Sequence, residues 1–131
     1  AELMQLNNLE KLLEIANKEI KRLAYDESLS IINNENVVII DVREESEVHN
    51  TGIIKNAVHI PRGLIEFSLA PNSPKNPVHI NDETNILVYC AGGFRSALAA
   101  KSLKDLGFKN VFNLGGFQEW VENGGDIQAS L

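Results

Sequence analysis

One stretch constrains this chain more than any other: Ile86-Leu87-Val88-Tyr89-Cys90-Ala91-Gly92-Gly93-Phe94-Arg95-Ser96. Ile86 to Tyr89 is a short apolar run of the kind that forms a buried parallel strand. From Ser96 onward, Ala97, Leu98, Ala99, Ala100, Leu103 and Leu106 keep helical spacing, and Gly107 is expected to end the helix as a C-terminal cap. Cys90, the sole cysteine, therefore falls at the carboxyl end of a strand and just before a helix N-terminus. The first N–H groups of a helix lack intrahelical partners, and the helix dipole is positive there. The amides of Gly92 and Gly93 are free to turn inward around an anion, and Arg95 adds a permanent positive charge. A thiol at the base of such a cup ionises more readily than a free one, and the thiolate is the nucleophile. A lone cysteine is often an inert core residue. A core, however, has no need of two glycines and an arginine so close to the thiol.

One cysteine excludes an internal disulfide and a multi-thiolate metal site. Anything carried on Cys90 must pass to an acceptor outside the chain or on another copy of it. His49, His59 and His79 share no metal-ligand spacing, so no metal is expected. The length of 131 residues corresponds to one domain, and a net charge of −6 argues against nucleic-acid binding through bulk charge. No apolar run is long enough to span a membrane.

In chain order, residues 3–20 read as an amphipathic helix, with Leu3, Leu6, Leu9, Leu13, Ala16 and Ile20 three or four apart. This helix either packs on its own domain or serves as a dimer contact or an anchor to a partner. Ile20–Leu23 reads as a short first strand, and Asp26 to about Asn33 as a helix. Val37–Ile40 is a second, buried strand running into Asp41-Val42-Arg43. Sites gather at the carboxyl ends of strands in open α/β sheets, so Asp41, Arg43 and Cys90 are expected along one end of the sheet. Asp41 reads as a supporting carboxylate that orients loops and caps Glu44 and its followers. Arg43 reads either as a solvated charge or as a rim charge for an anion. Ala57–Ile60 is a third strand, and a helix opens at Arg62. Arg62 is a second candidate for the anion site, with Glu66 as a partner for an arginine. The proline- and asparagine-rich residues 70–85 form a loop. Val111–Leu114 is the last strand, Gly115-Gly116 turns into a helix bearing Phe117 and Trp120, and residues 126–131 are a tail. The alternation implies a mostly parallel five-stranded sheet with helices on both faces, a small doubly wound α/β domain over residues 19–131 after a helical extension over 1–18.

Cys90-x-x-Gly93-x-Arg95-Ser96 resembles the active-site loop of the rhodanese-like family of single-domain sulfurtransferases. Asp41-Val42-Arg43-Glu44 with Glu47, followed by Ala57-Val58-His59-Ile60-Pro61-Arg62-Gly63, resembles the family's first motif. Asn113-Leu114-Gly115-Gly116-Phe117 with Trp120 and Gly124 resembles its C-terminal motif. Together these span roughly residues 20–127, in the family's order. Where the family pattern is Gly-His-Ile-Pro-Gly-Ala, this chain has Gly52-Ile53-Ile54-Lys55-Asn56-Ala57. The turn is kept, since Asn56 tolerates left-handed geometry.

The resemblance implies sulfur transfer, with Cys90 as the nucleophile. Ala91, Gly92, Gly93, Phe94, Arg95 and Ser96 would bind the substrate, helped by Arg62 and Arg43 and supported by Asp41 and Glu66. The Ser96 hydroxyl is expected to donate to the sulfur. The donor would be a small sulfur anion such as thiosulfate or polysulfide, and the acceptor an external thiol or dithiol protein. No cofactor is implied. Cysteine phosphatases and arsenate reductases use a similar loop but usually place five residues between Cys and Arg, where this chain has four. The other alternative is a binding module that keeps the fold without catalysis. The expected compartment is the cytoplasm, or the periplasm if Ala1 follows a cleaved signal peptide. The expected state is a monomer, or a homodimer through the N-terminal helix.

Overall fold

The computed structural model describes residues 6–34 and 36–130. The elements are α1 (Leu9–Glu19), α2 (Tyr25–Asn34), β1 (Val37–Asp41), α3 (Glu45–Thr51), β2 (Ile53–Ile54) and β3 (Val58–His59). A 3₁₀ turn at Arg62–Leu64 follows, then α4 (Ile65–Leu69), β4 (Asn85–Cys90), α5 (Phe94–Asp105), β5 (Val111–Gly116), α6 (Phe117–Glu122) and β6 (Ile127–Gln128).

Alternation along β4 separates two cores, because successive side chains of a strand point to opposite faces. Ile86, Val88 and Cys90 join Ile40, Val42, Ala99 and Leu103 on one face. Leu87 and Tyr89 join Ile39, Val48, Phe117 and Trp120 on the other. A sheet buried on both faces needs continuous apolar strands, and β1 and β4 supply them.

The main sheet is parallel throughout, in the order β3-β1-β4-β5. Four of the five expected strands form it. The fifth, at Ile20–Leu23, is reduced to one parallel bridge between Arg22 and Asn113. Its flanks Ile20 and Leu23 are buried, and α2 begins at Tyr25, which leaves no length for a ladder. The expected tail contains β6, which pairs antiparallel with β2 in a separate small sheet. Neither β2 nor β6 stands in a longer run whose periodicity could be read.

Helix α1 starts at Leu9, capped by the Asn8 side chain, which accepts from the Lys11 N–H at 2.8 Å. Leu3 lies outside the described residues. Ala16 and Ile20 are buried in the domain. Lys101 of α5 pairs with Glu19 at 3.1 Å, while Leu6 and Leu9 stay exposed. The lower half of α1 thus packs on its own domain. Helix α5 begins two residues before Ser96, at Phe94, and ends as expected. Gly107 is left-handed at φ +108°, and the Phe108 N–H reaches back to the Leu103 carbonyl at 3.2 Å.

Chain direction creates the site. After β1 the chain enters α3, whose Val48 packs in the core holding Leu87 and Tyr89. After β4 it enters α5, which packs on the opposite face. The ends of β1 and β4 therefore diverge and leave a crevice at the switch point, with Asp41 in register beside Tyr89.

Candidate active site

Cys90 closes β4 at this crevice. The loop after it turns because Gly93 takes φ +94°, a left-handed conformation costly for any side chain. That turn aims amides at the sulfur. The Gly93 N–H donates to Sγ at 3.1 Å and the Ser96 N–H at 3.4 Å. Burial pushes the Cys90 thiol up, but the Ser96 hydroxyl and the amides of Ser96, Gly93 and Gly92 outweigh it, and the net direction is down. The sulfur is thus held in an amide cradle, as the glycines implied. It is also well covered: Cys90 is only 1% exposed. Ala91 and Gly92 are exposed on the loop, and Phe94 projects into solvent at its rim.

Ser96 differs from the expectation in where its proton goes. Its Oγ lies 3.4 Å from Sγ and donates to Asn113 Oδ1 at 2.8 Å. A hydroxyl has one proton, so with a neutral thiol the S–H donates to Ser96 and Ser96 donates to Asn113. Only after ionisation does the sulfur compete for that proton. Asn113 is itself held in one orientation: Oδ1 accepts from the Gly115 N–H at 2.9 Å, and Nδ2 donates to the Gly93 carbonyl at 2.9 Å. This fully buried network ties β5 to the cysteine loop. Asn113 was legible only as part of the C-terminal motif, without a role.

Arg95 reaches across the crevice. Its Nη1 and Nη2 donate to Glu47 at 2.6 and 2.9 Å, a bidentate pair between α5 and α3. Glu47 also closes a capping box with Glu44, so Glu44 and not Asp41 caps α3. The Glu47 carboxylate raises the Arg95 pKa, and the Cys90 charge raises it further. Arg95 is thus less a free anion-binding cation than one arm of a clasp beside the sulfur. In return, Arg95 and the Glu44 N–H lower Glu47 to about 2 from an ordinary 4.5.

A carboxylate lowered on folding stabilises the fold above its unfolded pKa, and this contribution is lost as pH falls through the folded value. The window here runs from about 4.5 down to about 2. Since the pair is about one-third exposed, a discounted contribution of about 1–2 kcal/mol is appropriate. Glu47→Gln should therefore be less stable than wild type by about that amount at pH 7, with the gap shrinking toward pH 2. Urea titrations at both pH values measure it, and an equal gap at both would disprove the assignment.

Two further expectations are corrected by burial and pairing. Arg43 is 2% exposed and does not face the loop as a rim charge. It grips Asp41 through Nε and Nη2, donates to Thr51 Oγ1 at 3.0 Å and the Gly52 carbonyl at 2.9 Å, and lies 4.3 Å over the Phe117 ring. Burial disfavours its charge, but Asp41 more than compensates. Asp41, fully buried, supports by holding Arg43. Arg62 turns away from the cysteine: Nη1 meets Glu66 at 3.2 Å, and Nη2 meets Ser102, well down α5. The Arg62–Glu66 pairing was anticipated, but its place in the anion site was not borne out. Asn56 does adopt the left-handed conformation expected of it, at φ +69°. Among the described residues, no His, Cys, Asp and Glu group could hold a metal ion.

A lone, ionisable thiol in an amide cradle at the switch point of a doubly wound sheet is the chemical feature this α/β fold presents. The chain belongs to the rhodanese-like domain family, whose pattern it matches over residues 24–123. A thiosulfate sulfurtransferase GlpE from Coxiella burnetii is 30% identical over 101 residues, covering 76% of this chain and 86% of that protein. A tRNA uridine(34) hydroxylase from Prochlorococcus marinus is 32% identical over 95 residues, covering 70% of this chain and 30% of that protein. The chain spans less than half the length of the first curated relatives it matches. Among solved structures, a Rhodopseudomonas palustris protein of unknown function, described as a possible tyrosine phosphatase, superposes with a TM-score of 0.85. It is 33% identical, and the match covers 98% of this chain and 99% of that one. A polysulfide-sulfur transferase homodimer from Wolinella succinogenes superposes at 0.72 with 29% identity, covering 91% and 85%. No helix among the described residues is long and apolar enough to cross a membrane.

Proposed function

We propose that this chain is a sulfurtransferase that carries sulfane sulfur as a persulfide on Cys90. The observation that carries the reading is the amide cradle, with the Gly93 N–H at 3.1 Å and the Ser96 N–H at 3.4 Å from Sγ. Fixed donors aimed at a sulfur stabilise negative charge on it before attack. The Cys90 thiolate attacks the outer sulfur of a small anion such as thiosulfate or polysulfide. A new S–S bond forms, the donor's own S–S bond breaks, and its electron pair leaves with sulfite or the shortened polysulfide. An external thiolate then attacks the outer sulfur of the persulfide, and Cys90 leaves as the thiolate. The two half-reactions imply ping-pong kinetics.

Coverage of Cys90 favours donors with a slim terminal sulfur. A bound outer sulfur lies about 2 Å farther out, where an acceptor reaches it. The similarity to a thiosulfate sulfurtransferase and to a polysulfide-sulfur transferase supports both donor classes.

The neighbour described as a possible tyrosine phosphatase makes phosphate hydrolysis the second reading. Two features weigh against it. Four residues, not five, separate Cys90 from Arg95, and both terminal nitrogens of Arg95 are engaged by Glu47. Intact mass after incubation with thiosulfate, and separately with polysulfide, tests the proposal. The wild type is expected to gain one sulfur and Cys90→Ser none. No gain from either donor, with the thiol shown to be free and ionised, would overturn it and leave the non-catalytic module.

A further inference from the structure

Arg22 stands just before the family match begins at residue 24. Its backbone is fixed beside β5. The Asn113 N–H donates to the Lys21 carbonyl at 3.0 Å, and the Leu23 N–H donates to the Asn113 carbonyl at 2.9 Å. From there its side chain crosses the cysteine loop. A Cβ added to Gly93 would lie 2.6 Å from Arg22 Nη1, and one added to Gly115 would lie 3.2 Å from Nη2. The guanidinium therefore occupies the space that these two glycines leave open. Its Nη2 donates to the Gly92 carbonyl at 3.4 Å and pairs with Glu119.

The Gly92 carbonyl and the Gly93 N–H belong to one conjugated peptide group. That N–H is the shortest donor to Cys90 Sγ, at 3.1 Å. A cation on the carbonyl oxygen draws electron density away from the nitrogen and strengthens its N–H as a donor, the cooperative effect of chained hydrogen bonds. It also holds the carbonyl outward, which keeps the N–H aimed inward. Glu119 partly neutralises the guanidinium and so weakens both effects. Among the described residues, Arg95 beside the loop pairs with Glu47, and Arg43 pairs with Asp41 on the neighbouring strand.

We propose that Arg22 is a positioning residue for the Cys90 sulfur, acting through the peptide group between Gly92 and Gly93, with Glu119 as its counterweight. The proposal rests on Cys90 being the reacting thiol of the sulfur-transfer reading. It does not depend on which sulfur donor the chain uses.

The test is the pH dependence of Cys90 alkylation by iodoacetamide in the whole chain, with no sulfur donor present. Arg22→Gln is expected to move the thiol midpoint upward and slow alkylation at neutral pH by ~3-fold or more. Glu119→Gln, at an exposed side chain whose loss leaves the core intact, is expected to move the midpoint downward. In the double variant the Glu119→Gln shift should largely vanish, because that carboxylate acts through Arg22. An unchanged midpoint in Arg22→Gln overturns the proposal. So does a Glu119→Gln shift that persists in full without Arg22, since Glu119 would then act on the sulfur directly. Upward shifts in both single variants would mark simple loosening of the loop and also overturn it. Because alkylation needs no sulfur donor, a chain that fails to accept sulfur still reports on Arg22.

Discussion

Asp41→Ala is expected to destabilise the protein by about 3–5 kcal/mol, the cost of stranding a buried charge without its partner. Arg43 is 2% exposed and Asp41 fully buried. Asp41 accepts from Arg43 Nε and Nη2 and from the Arg43 backbone N–H. With the carboxylate gone, the guanidinium keeps, among the described residues, the Thr51 hydroxyl and the Gly52 carbonyl as acceptors. Both are neutral, and neither balances the charge. The effect should also reach function, because these groups join the end of β1 to the segment leading into β2, beside the crevice that holds Cys90. Urea unfolding at neutral pH measures the loss. Arg43→Met in the same chain should recover a large part of it, since replacing a buried pair with apolar groups is far less costly than breaking it. A double variant no more stable than Asp41→Ala would show that the charge was not the cause.

Gly116→Ala is expected to slow sulfur loading of Cys90 by about 100-fold or more, since displacements near 1 Å at a reacting centre have effects of that size. Gly116 sits in register with Cys90 on the neighbouring strand. A Cβ there would lie 2.5 Å from the Ala91 carbonyl oxygen and 3.1 Å from the Gly92 Cα. Both are backbone atoms at the start of the cysteine loop, so relief requires β5 and the loop to move apart. Backbone conformation adds nothing to the cost, because Gly116 has φ −107°, which alanine adopts freely. Overpacking of this kind costs about 1–3 kcal/mol, so the variant should still fold. Gly63→Ala is the control, because a Cβ there meets nothing within 4 Å. Mass gain with time after thiosulfate addition gives the rate. Loading by Gly116→Ala at the rate of wild type and of Gly63→Ala would refute the tight approach as a requirement for the site.

Local features of the site were legible in the chain because they are short-range. Strand β4, the glycine turn and α5 occupy one continuous segment. Apolar runs, glycine conformations and helical spacing are written into neighbouring residues. The placement of Cys90 beneath converging amides follows from that segment alone, whereas the mostly parallel doubly wound arrangement follows from the alternation of strands and helices along the whole chain. Strands β2 and β6 were not legible, because each is two residues with no longer run around it, whereas the equally short β3 lies in the run Ala57–Ile60 that ends at Pro61.

The charges were decided only by the tertiary structure. Arg95 read as a cation available to an anion and Arg43 as a solvated or rim charge, yet each is engaged by a carboxylate, Glu47 or Asp41; of these arginine pairs only the i,i+4 pair of Arg62 with Glu66 was within reach of the sequence. Glu47 and Arg95 are 48 residues apart, and Arg22 and the Gly92 carbonyl 70 apart, so only the fold brings them together. Asn113 likewise accepts the hydrogen bond of the Ser96 hydroxyl across 17 residues. A side chain's chemistry is fixed by its type, but what its charge or proton does depends on the partner that reaches it. Sequence alone therefore determined where the thiol stands, and the tertiary structure decided which groups are free to act on it.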